Sequence, residues 1–285
     1  MQYIDRHTAS RTKPLQGIQL GVPNLPNPVE DIHAEMIRLW ISICNSQHGC
    51  YPPDTTFLPT RLLDVGSATS KTFCLTTSSS LRSHGPARYT ALSHRWGLPG
   101  NLDRFCAYTS NLEKLATSMD DETLPQTFLD AVKVTRGLGI RYIWIDSVCI
   151  VQDDPDDWQT ESKLMERVFS SAYCTIVATC AANSRDGFLK ARPGRDVVKM
   201  RAGKAGGAAA YYVCQAIDDF GTHVEQSELS KRGWVLQERA LSRRSVYFTE
   251  YQTYWECGKG VRCETMTKMK KYLTLCPSLP IFPVS

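Results

Sequence analysis

The residues with the clearest chemical potential are acids that interrupt apolar runs. Glu161 lies in DWQTESKLMERVFSSA (157–172), where a helix advances roughly 100° per residue. On that wheel Trp158, Leu164, Met165, Val168, Phe169 and Ala172 share one side, and Glu161 falls near the middle of the same arc. Lys163, Glu166 and Arg167 point away from it and read as solvated charges. An unpaired carboxylate on an apolar arc is costly. Glu161 therefore needs a partner, with Arg95 or Arg141 available for a buried salt bridge, or a catalytic purpose. Asp146 interrupts YIWIDSVCI near its carboxyl end, the edge at which open parallel sheets place ligand-binding residues. Strand alternation puts it on one face with Trp144 and Val148, so it can equally be a buried acid that caps amides or pairs an arginine. Ser93, His94, Arg95 and Trp96 follow another apolar run at the same expected edge and offer a polar mouth with an aromatic wall for a nucleotide base. We expect Ser93, Arg95, Asp146 and Glu161 to line one concavity. Gln237, Glu238 and Arg239 form a further polar cluster after Trp234, where docking by salt bridges competes with catalysis.

Metal chemistry looks poorly supported by spacing. Cys44, His48 and Cys50 lie close together, and Cys257 and Cys263 repeat the interval of the first two cysteines. Structural zinc sites usually use tighter Cys-x2-4-Cys knuckles, so no metal is expected. GxGxxG, GxxxxGK[ST] and HExxH are also absent, which removes the usual marks of dinucleotide-fold, P-loop and zincin chemistry. No cofactor is expected.

The elements that must position these side chains can be read from periodicity. With 285 residues, 42% of them hydrophobic, the chain can bury a sizeable core. Its net charge of +4, from 33 basic and 29 acidic residues without long runs of either sign, argues against a nucleic-acid partner. No run approaches the roughly 20 apolar residues of a membrane helix, and MQYIDRHTASRTKP lacks the apolar core of a signal peptide, so a cytoplasmic protein without a membrane partner is expected. The eleven cysteines then read mostly as reduced thiols, with Cys149, Cys174 and Cys180 acting as small hydrophobes. Residues 1–30 form an extended lead-in, 31–264 the ordered domain and 265–285 a loosely ordered tail. A helix is expected in DIHAEMIRLWISICN with Asp31 as its cap, and a flexible loop in the Ser/Thr-rich 66–88. A helix after Pro125 and a second from about 157 to 172 alternate with buried strands at 89–95, 142–150 and 175–181. Residues 193–210 read as a surface insertion, and 233–257 as a short helix followed by a hairpin around 249–252.

Three blocks, YTALSHRWG (89–97), the long segment from LPQTF to CTIVA (124–178) and RGWVLQERALSRRSVYF (232–248), resemble the fungal heterokaryon-incompatibility (HET) family in order. LPTRLLDV and WEC extend the resemblance over roughly 31–264, with His94 standing where relatives usually carry tyrosine. The resemblance implies an effector of non-self recognition that triggers growth arrest or cell death, with protein partners or self-association. It also implies a more distant likeness to TIR domains: an α/β fold with a TIR/flavodoxin-like parallel sheet flanked by helices, plus an added C-terminal helix and β-hairpin. Some TIR domains cleave NAD, with a catalytic glutamate in a helix just after a tryptophan, as Glu161 follows Trp158. NAD is then the implied substrate, with Ser93, His94, Arg95, Trp96, Asp146 and Trp158 around it. The alternative is a non-enzymatic interaction module.

Overall fold

Among the described residues five strand segments are buried at every residue, and four of them, YTALS, YIWI, CTIV and RSVYF, make the centre of the fold, with TYWEC beside them. The computed structural model describes residues 27–29, 31–50, 56–81, 87–97, 104–194, 197–202, 209–214, 217–265 and 268–269. Helix α1 (Asp31–Ile43) continues as a π turn (Cys44–His48), followed by strands β1 (Arg61–Asp64) and β2 (Thr72–Thr77), the single turn α2 (Ser78–Leu81) and β3 (Tyr89–Ser93). Then come α3 (Leu112–Ala116), β4 (Met119–Asp120), α4 (Gln126–Gly137), β5 (Tyr142–Ile145), α5 (Asp146–Cys149), α6 (Pro155–Ser171) and β6 (Cys174–Val177). The remainder comprises β7 (Val197–Ala202), β8 (Ala209–Cys214), a second π turn (Gly221–Glu225), α7 (Gly233–Leu241), β9 (Arg244–Phe248), β10 (Thr253–Cys257), β11 (Gly260–Cys263) and β12 (Lys268–Met269).

Among the described residues ten strands form one sheet in the order β12-β11-β10-β9-β6-β3-β5-β1-β2-β4, and β7 pairs with β8 apart from it. Neighbours within β5-β3-β6-β9 run parallel. Outward from them the pairings are antiparallel. The α/β class and the parallel centre agree with the sequence reading, but the sheet as a whole is mixed. Chain length explains this: parallel neighbours need a crossover of a dozen or more residues, while β9 reaches β10 through residues 249–252 and can only turn back. The stretch 66–88, expected to include a flexible loop, also supplies a strand. Within it TFCLTT buries alternate residues and pairs with β1 as β2.

Asp31, expected as the cap of α1, is its first helical residue, and α6 begins at Pro155, two residues before the expected start. Asp154 caps α6 by accepting from the Asp156 and Asp157 amides, with Pro155 in the first turn. Trp144 of β5 meets Phe169 of α6 edge to face at 5.6 Å, and Tyr89 of β3 donates to the Val168 carbonyl at 2.7 Å. α1 closes the outer part of the core through Trp40 against Trp255. Its approach to α4 is tight, since a Cβ on Gly137 would lie 3.3 Å from that of Ala34. Among the described residues no helix is long and apolar enough to cross a membrane. The proposed lead-in and tail fall almost wholly outside the described residues.

Candidate functional site

Polar side chains collect where β3, β5 and β6 end. β3 stops at Ser93, two residues earlier than the apolar run suggested, and leaves His94 to Gly97 as an irregular exit. Gly97 has φ +94°, and a Cβ there would lie 3.0 Å from the Asn183 Cβ, so the exit is folded tightly against the segment after β6. β5 also ends early. Asp146 opens the short helix α5 instead of continuing the strand, which overturns its expected alternation with Trp144 and Val148. Its Oδ1 accepts from the Ser147 amide at 2.7 Å and its Oδ2 from the Trp96 indole at 2.8 Å.

His94 is 4% exposed, packs edge to face on Phe128 at 5.0 Å, and has Nδ1 3.7 Å from Asp146 Oδ1, too far for a hydrogen bond. Burial lowers its pKa, Asp146 opposes that, and Arg232 adds to it, so the ring is neutral at pH 7. Arg232 itself donates to the His94 carbonyl at 2.7 Å. From α7, Glu238 enters the same region. Burial pushes its carboxyl up to about 7; the Ser93 hydroxyl and Arg232 favour the charged form, while Asp146 disfavours it. Ser93 Oγ, both His94 ring nitrogens, Ser147 Oγ, Thr179 Oγ1 and Glu238 Oε2 are all buried without a hydrogen bond of normal geometry. Such atoms are uncommon in a folded interior, and half of those among the described residues belong to the ends of three neighbouring parallel strands and the helix that meets them. Beside them a cleft of about 320 Å³ is lined by Arg104, Phe105, Thr123, Leu124, Pro125 and Arg185. Arg104 lies over the Trp96 ring at 5.8 Å, which links cleft and strand ends.

Glu161 is 2% exposed, as its place on the helical wheel demands. Its neighbours are different from those expected. Burial raises its pKa, the Thr60 hydroxyl and Arg61 hold it back, and Asp157 adds to the rise. The candidate partner Arg141 instead forms a bidentate pair with Asp64 at 2.8 Å. Arg61 bridges the Cys149 carbonyl and Asp157, and so ties the end of α5 to the start of α6. Trp158 is 50% exposed, off the buried arc of its helix. Arg95 is half-buried, and its charge is felt by Glu228. In the 237–239 cluster Arg239 docks α7 onto Glu256 and Glu225, each at 3.0 Å, while Gln237 is exposed. Thus Ser93, His94, Trp96 and Asp146 gather with Glu238, and Arg232 joins them without having been singled out. A burial pattern marks Glu161 but says nothing of which strand end a distant helix meets.

The metal-ligating residue types sit elsewhere. Cys44, His48, Cys50 and Cys257 each bring a ligand atom to one place, although their spacing had argued against it. Cys263, which the repeated interval had linked with Cys257, lies instead against Thr265 and Asp218.

In comparison with known proteins, the family described as Heterokaryon incompatibility protein (HET) matches residues 89–238, a segment that contains every residue of the strand-end cluster. No curated protein and no solved structure matches the chain.

Proposed function

Because the chain belongs to the heterokaryon-incompatibility family, we propose that it is an effector of fungal non-self recognition that triggers growth arrest or cell death by cleaving cytoplasmic NAD at the nicotinamide bond. The observation that carries this reading is Glu238, whose buried Oε2 lies beside Ser93 and Asp146 at the carboxyl edge of the sheet, with the carboxyl pKa raised to about 7. Strand order supports it. Taken in chain order, the four parallel strands stand second, first, third, fourth, which is how the flavodoxin-like order begins. In that order ligands bind at the switch point between the first and third strands, here β3 and β6, where Ser93 and Thr179 lie. The likeness to TIR domains, a glutamate in a helix after a tryptophan, fits Glu238 after Trp234 as well as it fits Glu161 after Trp158. Glu238 is the one beside Asp146 and Ser93.

Cleavage breaks the bond between ribose C1′ and the pyridinium nitrogen, whose electron pair leaves with nicotinamide. Positive charge develops on the ribose, and the Glu238 carboxylate is placed to stabilise it. Water then adds to C1′ and gives its proton to Glu238, so NAD and water yield ADP-ribose, nicotinamide and a proton. Asp146, oriented by the Trp96 indole, adds a second negative charge to the ribose site. Arg104 and Arg185 in the adjoining cleft suit a diphosphate.

The test is nicotinamide release from NAD by purified protein, concentrated enough to self-associate. Wild type should release it, and Glu238→Gln should not, at an undiminished melting temperature. If Glu161→Gln abolishes release with its melting temperature unchanged while Glu238→Gln remains active, the catalytic carboxylate is Glu161. The interaction-module reading has its own observation: Trp158 on α6 and Trp234 and Leu236 on α7, helices that pack together, are each at least half exposed. Growth arrest without any fall in cellular NAD would select that reading over the enzymatic one.

A further inference from the structure

We infer that Cys44, His48, Cys50 and Cys257 form a closed structural zinc site that clasps the turn after α1 to the β10–β11 hairpin. The four ligand atoms lie within 4.8 Å of one another. Zn–S bonds of about 2.3 Å in a tetrahedron set sulfurs about 3.8 Å apart, so the protein needs only a small contraction to reach metal geometry. The edge from His48 Nδ1 to Cys257 Sγ is 3.4 Å, already that of a zinc tetrahedron, and it joins residues 209 positions apart.

Local structure serves this arrangement. The π turn carries Cys44 and His48, and Gly49 at φ 62° then reverses the chain so that Cys50 returns towards Cys44. Opposite them, Cys257 ends β10 and faces Gly260 across a turn of Gly258 and Lys259. Gly258 is required by contact: a Cβ there would lie 3.3 Å from the Cys50 sulfur. The Lys259 amide donates to the Cys257 sulfur, the kind of outer contact that orients a thiolate ligand. Cys44 and Cys257 share a hydrogen bond, so their sulfurs already lie side by side. Charge also balances. Zinc with three thiolates and a neutral imidazole carries one negative charge, and the buried Arg244 guanidinium, which bonds the Cys50 carbonyl at 3.2 Å and acts on Cys44, supplies the opposite one.

Three cysteines and one histidine fill a tetrahedron, which makes the site structural, without an open position for substrate. Thiolate-rich tetrahedral sets select zinc over harder cations, and binding releases the thiol protons. All four ligands lie outside residues 89–238, so the metal ties together chain on either side of the family-matched segment.

The experiment is elemental analysis of full-length protein, purified from zinc-supplemented culture and freed of loose metal on chelating resin. One zinc per chain is expected. Cys50→Ser and Cys257→Ser should lose it, while Cys263→Ser and His48→Cys, which leaves a four-cysteine set, should keep it. In case the serine variants do not fold, wild type is stripped with a chelator, which should lower its melting temperature. Cobalt(II) added to that apo-protein should give the strong visible absorption of a tetrahedral thiolate complex. The proposal is overturned by any one of four results: no zinc and no cobalt spectrum, iron in place of zinc, equal metal loss from Cys263→Ser, or a Cys44–Cys257 disulfide in non-reduced protein.

Discussion

If Glu238 keeps its charge for chemistry, that charge must cost stability, and Glu238→Gln measures the cost. The carboxyl rises from its ordinary 4.5 to about 7, chiefly through burial. Between those values the folded protein holds a proton that the unfolded chain has released, so stability falls as pH rises through the window. The fall is complete above 7 and absent below 4.5. A rise of this size corresponds to about 3 kcal/mol at full ionisation. Because Glu238 is only half-buried overall, although its Oε2 is sealed, solvent trims that figure. Glutamine has no such proton to lose. The stability difference, Glu238→Gln minus wild type, should therefore shift in favour of the variant by about 2 kcal/mol between pH 5 and pH 8. Urea unfolding of both proteins at the two pH values reads it directly, and the neighbours that titrate in common, such as His94, largely cancel. A difference that stays the same at both pH values, or moves against the variant as pH rises, refutes the account of Glu238 as a buried acid. In the nicotinamide assay the same titration should appear as activity that rises with pH up to about 7.

Two further outcomes follow from buried contacts. Arg192 and Glu264 pair with side chains 2% and 0% exposed, and both also bind Thr253, through its hydroxyl and its amide. Glu264→Gln leaves a buried guanidinium short of its counter-charge and should cost about 3–5 kcal/mol, lowering the melting temperature by roughly 2–4 °C for each kcal/mol; a loss under about 1 kcal/mol would refute the pairing. Gly97→Ala forces an L side chain to φ +94° and into Asn183, and should lower the urea midpoint by the equivalent of about 1–3 kcal/mol. A midpoint equal to wild type would mean that the exit of β3 is not held as described.

The central elements were legible in the sequence because burial alone dictates them. Runs such as YTALS and CTIV, separated by helical patterns long enough to cross over, lead to parallel strands. The exact lengths were less legible. IWIDSVCIV is continuously apolar apart from Asp146 and Ser147, and both a strand and a short buried helix satisfy that pattern. Only tertiary contact decides that the chain coils at Asp146, where the carboxylate accepts from the Ser147 amide and the Trp96 indole. The antiparallel flanks were obscured for another reason: β1 and β2 carry Thr, Arg and Asp, which suit the half-buried outer part of a sheet but resemble loop composition.

The candidate site shows where reasoning from local pattern reaches its limit. A helical wheel detects that a carboxylate is buried, and Glu161 is; it cannot detect what the carboxylate faces. α7 is short, with Val235 its only fully buried residue, so its wheel gives Glu238 little weight. The charge becomes notable only once Ser93 from β3 and Asp146 from α5 are beside it. Metal-ligand spacing fails in the same way. The Cys-x2-4-Cys rule describes sites in which one short loop supplies two ligands, whereas here the fourth ligand arrives on a hairpin far along the chain. In both places the informative quantity is a buried polar or ionisable group whose cost local structure does not meet, because only a contact between distant segments, or a ligand, can offset it.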